Sequence, residues 1–294
     1  MPEILFPRRI FLRAATSAAI TAAHFGSKSA FADTATTFAA LEAAAGGGRI
    51  GVAGLNTANK KTVSHRADER FPFCSTFKLI SVSAILKRSE SDPTLLARRI
   101  EYGSQALVKY SPVTNLHVGT GMTTSAICAA ALQYSDNTAA NLIIRLLGGP
   151  AAVTSFARSI GDDSFRLDRW EIALNGAVPG DPRDTTTPAA MMADLRRAML
   201  GDLLDPSQRN QLVTWMRGCK TGLRRIRAAV PADWAVADKT GTGDYGTAND
   251  IAVIWPPGKQ PIVLAIYVTL EKKNAPARDD LVAAAARIAL AALG

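Results

Sequence analysis

Two changes of pattern along this 294-residue chain restrict its fold more than any other feature. Short β-rich runs lie at Arg49–Leu55 and Thr62–Arg66, on either side of a turn at Asn56–Lys60. From about 75 to 217 the pattern becomes helical, in the segments Thr76–Lys87, Thr123–Tyr134, Ala139–Leu147, Pro150–Ile160, Thr187–Leu200 and Pro206–Met216. A polar loop, Asp162–Thr186, interrupts that block. Three further β-rich runs follow, Trp234–Lys239, Asn249–Trp255 and Ile262–Leu270, separated by Gly/Asp and Pro-Pro-Gly turns. An alanine-rich helix, Arg278–Leu293, closes the chain. At the other end Phe38, Leu41, Ala44 and Ala45 suit a helix stopped by Gly46-Gly47-Gly48. Hairpins adjacent in sequence pair antiparallel. The pattern therefore predicts an α+β fold with one five-stranded antiparallel sheet. The terminal helices should cover one face and the helical block the other. The chain would form an α/β lobe (33–67 and 218–294) and an all-helical lobe (68–217), crossing between them twice. A cleft between two such lobes is where a small-molecule site is expected.

Composition narrows the function classes. Hydrophobic residues make up 48% and charged residues 20%, which fits a packed globular chain and not a disordered one. The net charge of +9 is scattered, and its densest cluster is Arg224-Arg225-Ile226-Arg227. That is neither a basic stripe nor a recognisable module, so no nucleic-acid partner is expected. No apolar run reaches the ~20 residues of a membrane-spanning helix. Three cysteines do not make a disulfide scaffold. His24, His65 and His117 have no zinc spacing and offer little for a His-based triad, so neither metal nor cofactor is expected.

The first 32 residues read as an address. Arg8-Arg9-Ile10-Phe11-Leu12-Arg13 precedes an Ala-rich, weakly apolar stretch through Phe25, and Ala30-Phe31-Ala32 supplies a small-residue exit. This is the pattern of a secretory signal, in its twin-arginine version. The plainer alternative is a basic amphipathic helix. Cleavage before Asp33 would remove Arg8, Arg9, Arg13, Lys28 and Glu3 and leave +6. The mature chain, 33–294, would then work in the periplasm or outside the cell, where thiols oxidise.

Four short motifs carry chemistry. Ser75-Thr76-Phe77-Lys78 opens a helix, with Ser and Lys on one face. A serine there lies near free backbone N–H groups that can stabilise an oxyanion. A lysine one turn on can take its proton if burial lowers the amine pKa. The alternative is a helix cap beside a solvated lysine. Ser135-Asp136-Asn137 lies between two helices, where it could face a cleft or simply cap the second helix. Lys239-Thr240-Gly241 and then Thr242 end a strand and could hold a substrate carboxylate, with glycine allowing close backbone approach. A second Lys-Thr-Gly at 220–222 sits at a helix end and lacks that strand context. In the polar loop, Glu171 and Asn175 are four apart, so one helical turn would bring a carboxylate and an amide onto one water. Arg169 and Asp184 could close that loop as an ion pair; the whole loop could equally be purely structural.

In this order the four motifs resemble class A serine β-lactamases. Ser-x-x-Lys, Ser-Asp-Asn and Lys-Thr-Gly are that class's signature, shared in part with penicillin-binding proteins. The resemblance covers the whole mature chain. It implies that Ser75 attacks the lactam carbonyl, with the backbone N–H groups of Ser75 and Thr242 as oxyanion hole. Lys78, Glu171, or both through a water, would remove the serine proton. Ser135 would pass a proton to the departing nitrogen, and Asn137 would hold the acylamide side chain. Lys239, Thr240, Gly241 and Thr242 would form the carboxylate subsite. Glu171 with Asn175 would activate the water that frees the ester. Tyr110, after Lys109, matches the family's aromatic wall at the cleft entrance, and Asp244 and Tyr245 lie where cephalosporin preference is tuned. The implied substrates are penicillins and, next, cephalosporins, conferring antibiotic resistance. Clavulanate-type inactivators are implied partners, and the chain would be a monomer.

Departures from the family pattern add expectations. Ile172 replaces the proline that often follows the catalytic glutamate, yet the resemblance implies a cis peptide there. Ala248 stands where an arginine is usual, and Arg225 fits the position from which one subset supplies a substitute. Arg225 is therefore expected to help hold the carboxylate and assist clavulanate-type inactivation. The family's cysteine bridge next to the nucleophile would need a partner at Gly243, and another would need one at Val82. Cys74, Cys128 and Cys219 are thus expected to be free, packed residues. Two rival readings share parts of the pattern: a penicillin-binding DD-peptidase, against which the Glu171–Asn175 pair speaks, and a non-enzymatic β-lactam sensor domain, normally membrane-tethered.

Overall fold

The computed structural model describes residues 1–2, 34 and 37–294; the twin-arginine segment and its exit lie outside them. The expected sheet forms from β1 (Arg49–Asn56), β2 (Thr62–His65), β3 (Ala235–Thr242), β4 (Ala248–Trp255) and β5 (Ile262–Thr269). Its order is β2-β1-β5-β4-β3, antiparallel throughout. The first hairpin and the last three strands thus join through β1 and β5, which pair over eight positions from Arg49↔Thr269 to Asn56↔Ile262.

Alternation of side chains separates the two faces of the sheet. Ile50, Val52, Ile254, Leu264 and Ile266 point to one side, where they pack on α7 (Asp279–Leu293) and on Phe38 of the helical segment 37–44. Ile251, Val253, Val263, Ala265 and Tyr267 point to the other side, into the core of the helical block. All eight β5 residues are buried, so this central strand shows no polar alternation.

The helical block comprises α1 (Lys78–Ser91), α2 (Thr124–Gln133), α3 (Asn137–Leu147), α4 (Pro150–Ser159), α5 (Pro188–Leu200) and α6 (Pro206–Arg217). Their starts follow capping chemistry: Thr123, Asp136 and Thr187 accept from the backbone N–H three residues on, and Pro150, Pro188 and Pro206 occupy first positions. Most boundaries shift by a residue or two from the sequence reading, and one shift falls on the site. Cys74–Phe77 forms a 3₁₀ turn, so the α-helix begins at Lys78 and not at Ser75. Strand β3 carries the Lys-Thr-Gly and ends at Thr242, as the motif reading expected, because its register with β4 continues to Thr242↔Ala248. Among the described residues no single helix is long and apolar enough to cross a membrane.

Candidate active site

A cleft of about 950 Å³ opens between the sheet edge and the helical block, lined by Ser75, Tyr110, Ser135, Asn137, Asn175, Thr240, Thr242 and Arg225 among others. Lys78 and Lys239 are fully buried behind it, and Glu171 nearly so. Ser75, Lys78, Ser135, Asn137, Glu171, Asn175, Lys239, Thr240 and Thr242 are therefore in or directly behind one cavity.

The turn that carries Ser75 is held from the sheet side. Asn249 donates from Nδ2 to the carbonyls of Pro72 and Phe73, and the position of a Gly241 Cβ would be 2.6 Å from the Phe73 carbonyl. Only glycine lets β3 come this close, and the approach brings Thr242 beside Ser75. Cys74 adopts φ 47°, Tyr110 φ 65° and Ser135 φ 58°. Left-handed backbone at three non-glycine residues around one cleft fits a site whose geometry is fixed by its surroundings.

Ser75 and Lys78 meet on one carboxylate oxygen of Glu171. The Ser75 Oγ is 3.4 Å from Glu171 Oε1. Lys78 Nζ is 3.2 Å from the same carboxylate oxygen, and donates to the Ser135 carbonyl at 2.9 Å and to Asn137 Oδ1 at 2.8 Å. Burial pushes the Lys78 amine below the usual lysine range, against the opposing pull of Glu171. That is the condition under which a lysine can accept a proton. Lys239 Nζ donates to Ser135 Oγ at 3.0 Å and to the Thr240 carbonyl. Burial, then the charge of Lys78, pushes its amine down to about 7. Ser135 thus lies between two lysines.

Both readings of Ser135-Asp136-Asn137 hold, on different residues. Asp136 caps α3 through Ala139 N–H and accepts from Val113 N–H and from Thr114 N–H and Oγ1. Ser135 and Asn137, on either side, face the cleft. Asn137 Nδ2 donates to the Lys109 carbonyl, which fixes its amide beside the Tyr110 wall.

In the polar loop, Asn175 Nδ2 donates to Glu171 Oε2 at 2.6 Å, as the four-residue spacing suggested, on a 3₁₀ turn at Ala173–Gly176. Arg169 and Asp184 pair, and Asp184 also accepts from the Asp168 and Arg169 N–H groups. The Glu171–Ile172 peptide is cis. One residue here had no sequence signal. Asn141, mid-helix on α3, accepts from the Glu171 N–H and donates to the Glu171 carbonyl. It lies one helical turn after Asn137, a spacing that puts both on the cleft side.

Arg225 is buried at the cleft wall beside Gly241 and Thr242. It donates to Asp279, the Gly241 and Asn249 carbonyls and Thr242 Oγ1. Asp244 lines the cleft, whereas Tyr245 turns its backbone onto Lys273 and Leu270. Cys74, Cys128 and Cys219 are free and buried. A Cβ at Gly243 would stand 2.7 Å from Cys74 Sγ and 2.6 Å from the Asn175 carbonyl, so glycine here lets the polar loop pack on the strand.

The chain is similar in sequence and fold to known proteins. The model of the β-lactamase enzyme family matches residues 33–293. The carbapenem-hydrolyzing β-lactamase KPC of Klebsiella oxytoca is 55% identical over 249 residues, 84% of this chain and 85% of that one. β-Lactamase CTX-M-8 of Citrobacter amalonaticus is 53% identical over 256 residues, 87% and 88% of the two chains. Among solved structures, a β-lactamase from Desulfarculus baarsii superposes with TM-score 0.88 at 55% identity, covering 90% of this chain and 98% of its own. One from Burkholderia phymatum gives 0.89 at 52%, covering 90% and 100%. With the four motifs gathered on one cleft and relatives of this similarity over most of its length, the chain belongs to the β-lactamase enzyme family, in the class A serine branch that its motifs resemble.

Proposed function

We propose that this protein hydrolyses the β-lactam ring in two steps, through an ester on Ser75. The contact that carries the reading is Ser75 Oγ at 3.4 Å from Glu171 Oε1, with Lys78 Nζ on the same oxygen. In acylation the Ser75 hydroxyl loses its proton to Lys78, to Glu171, or to Glu171 through a water. Its oxygen then attacks the lactam carbonyl, and the backbone N–H groups of Ser75 and Thr242 hold the oxyanion. The C–N bond breaks as Ser135, between Lys78 and Lys239, protonates the nitrogen. Asn137 holds the acylamide side chain. Lys239, Thr240 and Thr242 hold the ring carboxylate, and Arg225 supports them. Tyr110 walls the entrance.

In deacylation Glu171, oriented by Asn175, takes a proton from water, which attacks the ester and returns Ser75. Without this step the protein would be a stoichiometric trap, as a DD-peptidase is towards penicillin or as a sensor domain would be. Penicillins are the expected substrates, with cephalosporins next and clavulanate-type compounds as inactivators of a monomer. The expected route out of the cytoplasm is the twin-arginine signal at Arg8-Arg9.

Removing a general base costs about 10²–10⁴-fold. Glu171→Ala should therefore accumulate a persistent penicilloyl adduct on intact-mass spectrometry and give nitrocefin one stoichiometric burst. Wild-type turnover without an adduct in that variant would overturn the reading.

A further inference from the structure

The proton of each hydroxyl at the carboxylate end of the cleft can be traced. A threonine hydroxyl has one proton and two lone pairs, and a guanidinium only donates. Arg225 Nη2 donates to Thr242 Oγ1 at 2.7 Å. The Thr242 oxygen is therefore an acceptor at that contact, and its own proton is free for another group. Arg225 cannot swing away, because Nε is held by Asp279 and Nη1 by the Gly241 and Asn249 carbonyls.

Thr240 has an equivalent neighbour. Its Oγ1 is 2.5 Å from Oγ1 of Thr221, the threonine of the other Lys-Thr-Gly. Behind Thr221 stands Cys219, with Sγ 3.4 Å from the Thr221 oxygen. Two proton arrangements are available. In one, Thr240 donates to Thr221, whose own proton then turns to the cleft or to sulfur, a weak acceptor, and the Thr240 proton is lost to the cleft. In the other, Thr221 donates to Thr240, and the Thr240 proton faces the cleft. An anion in the cleft selects the second. Both Thr221 and Thr240 line the cavity.

We propose that Thr221 is a positioning residue of the carboxylate subsite: it donates to Thr240 as Arg225 donates to Thr242, so that both cleft hydroxyls present protons to an anion. The subsite then selects for a ring substituent that is a pure acceptor, an ionised carboxylate or sulfonate, and against an esterified or amidated one. The inference rests on reading Lys239, Thr240 and Thr242 as the carboxylate subsite.

The test compares one penicillin as free acid and as its methyl ester, on wild type, Thr221→Val and Thr221→Ser. Hydrogen bonds to charged groups are strong enough that Thr221→Val should raise KM for the acid about tenfold. In the same variant kcat should stay within about twofold, the signature of lost ground-state binding. Acylation by the ester should be unchanged, so the acid-to-ester preference collapses, and Thr221→Ser should restore it. A Thr221→Val protein that keeps the wild-type preference overturns the proposal. So does an equal loss on acid and ester, which is the mark of a general structural role, or a serine variant that behaves like valine. Absence of turnover in the wild type would instead overturn the hydrolase reading on which the proposal stands.

Discussion

The tripeptide Lys-Thr-Gly occurs twice, and the two copies lie against each other in different states. At 239–241 it is part of β3, the edge strand whose one sheet neighbour is β4, and Lys239 is wholly buried behind the cleft. At 220–222 it follows α6 in a loop held by the Lys220 N–H on the Gln133 carbonyl, and Lys220 is exposed at the cleft rim. The glycines share one purpose. A Cβ on Gly241 would meet the Phe73 carbonyl, and one on Gly222 would stand 1.8 Å from Asp238 Oδ2. The difference teaches that the tripeptide does not define a site. Strand pairing decides which lysine is desolvated, and desolvation gives a lysine its effect on a bound anion.

Exchanging the lysines' charges should break the comparison most sharply. Lys239→Met removes a buried cation from Ser135 and from the substrate carboxylate, and should lower kcat/KM for a penicillin about a hundredfold. Lys220→Met, on a solvated side chain, should stay within about twofold. Steady-state kinetics on the two variants would reveal any other order. The glycines should instead behave alike. Gly241→Ala and Gly222→Ala each force backbone or a carboxylate aside and should cost about 1–3 kcal/mol in urea unfolding. If Gly222→Ala proves neutral, the packing of the 220–222 loop on Asp238 is incidental.

A smaller effect concerns pH. The Lys239 amine is pushed down to about 7 in the free protein, so its ammonium fraction falls as pH rises through 7. The kcat/KM for anionic substrates should accordingly decline on the alkaline side with an inflection near 7. Lys239→Arg, charged at every accessible pH, should move that inflection out of range, while Lys220→Arg should leave it in place.

Much of the molecule could be read along the chain. The strands at 49–55 and 62–66 and the helix from Pro150 needed only alternation, turn residues and a proline at a first position. Glu171 and Asn175 could be paired from their spacing, since four residues is one turn. Other features could not. Ser75 was expected to open an α-helix, but sequence does not distinguish a 3₁₀ turn from a first helical turn. Asn141 looks like any polar residue on a helix, yet it holds the Glu171 peptide from both sides. Arg225 entered only through the resemblance, and its partner Asp279 lies 54 residues away. Thr221 was set aside with its tripeptide, because nothing local indicates that β3 passes beside it.

Local order sets which segments become strands and helices, because side-chain period and capping act within a few residues. It also set the chemical inventory: two serines, two lysines, a glutamate and two amides at spacings with chemical meaning. Which of two identical tripeptides is buried, and which hydroxyl faces which partner, was decided only when β3 paired with β4 and closed on the turn before Ser75. Burial and hydrogen-bond direction depend on neighbours distant in sequence, and only the folded chain brings those neighbours within reach.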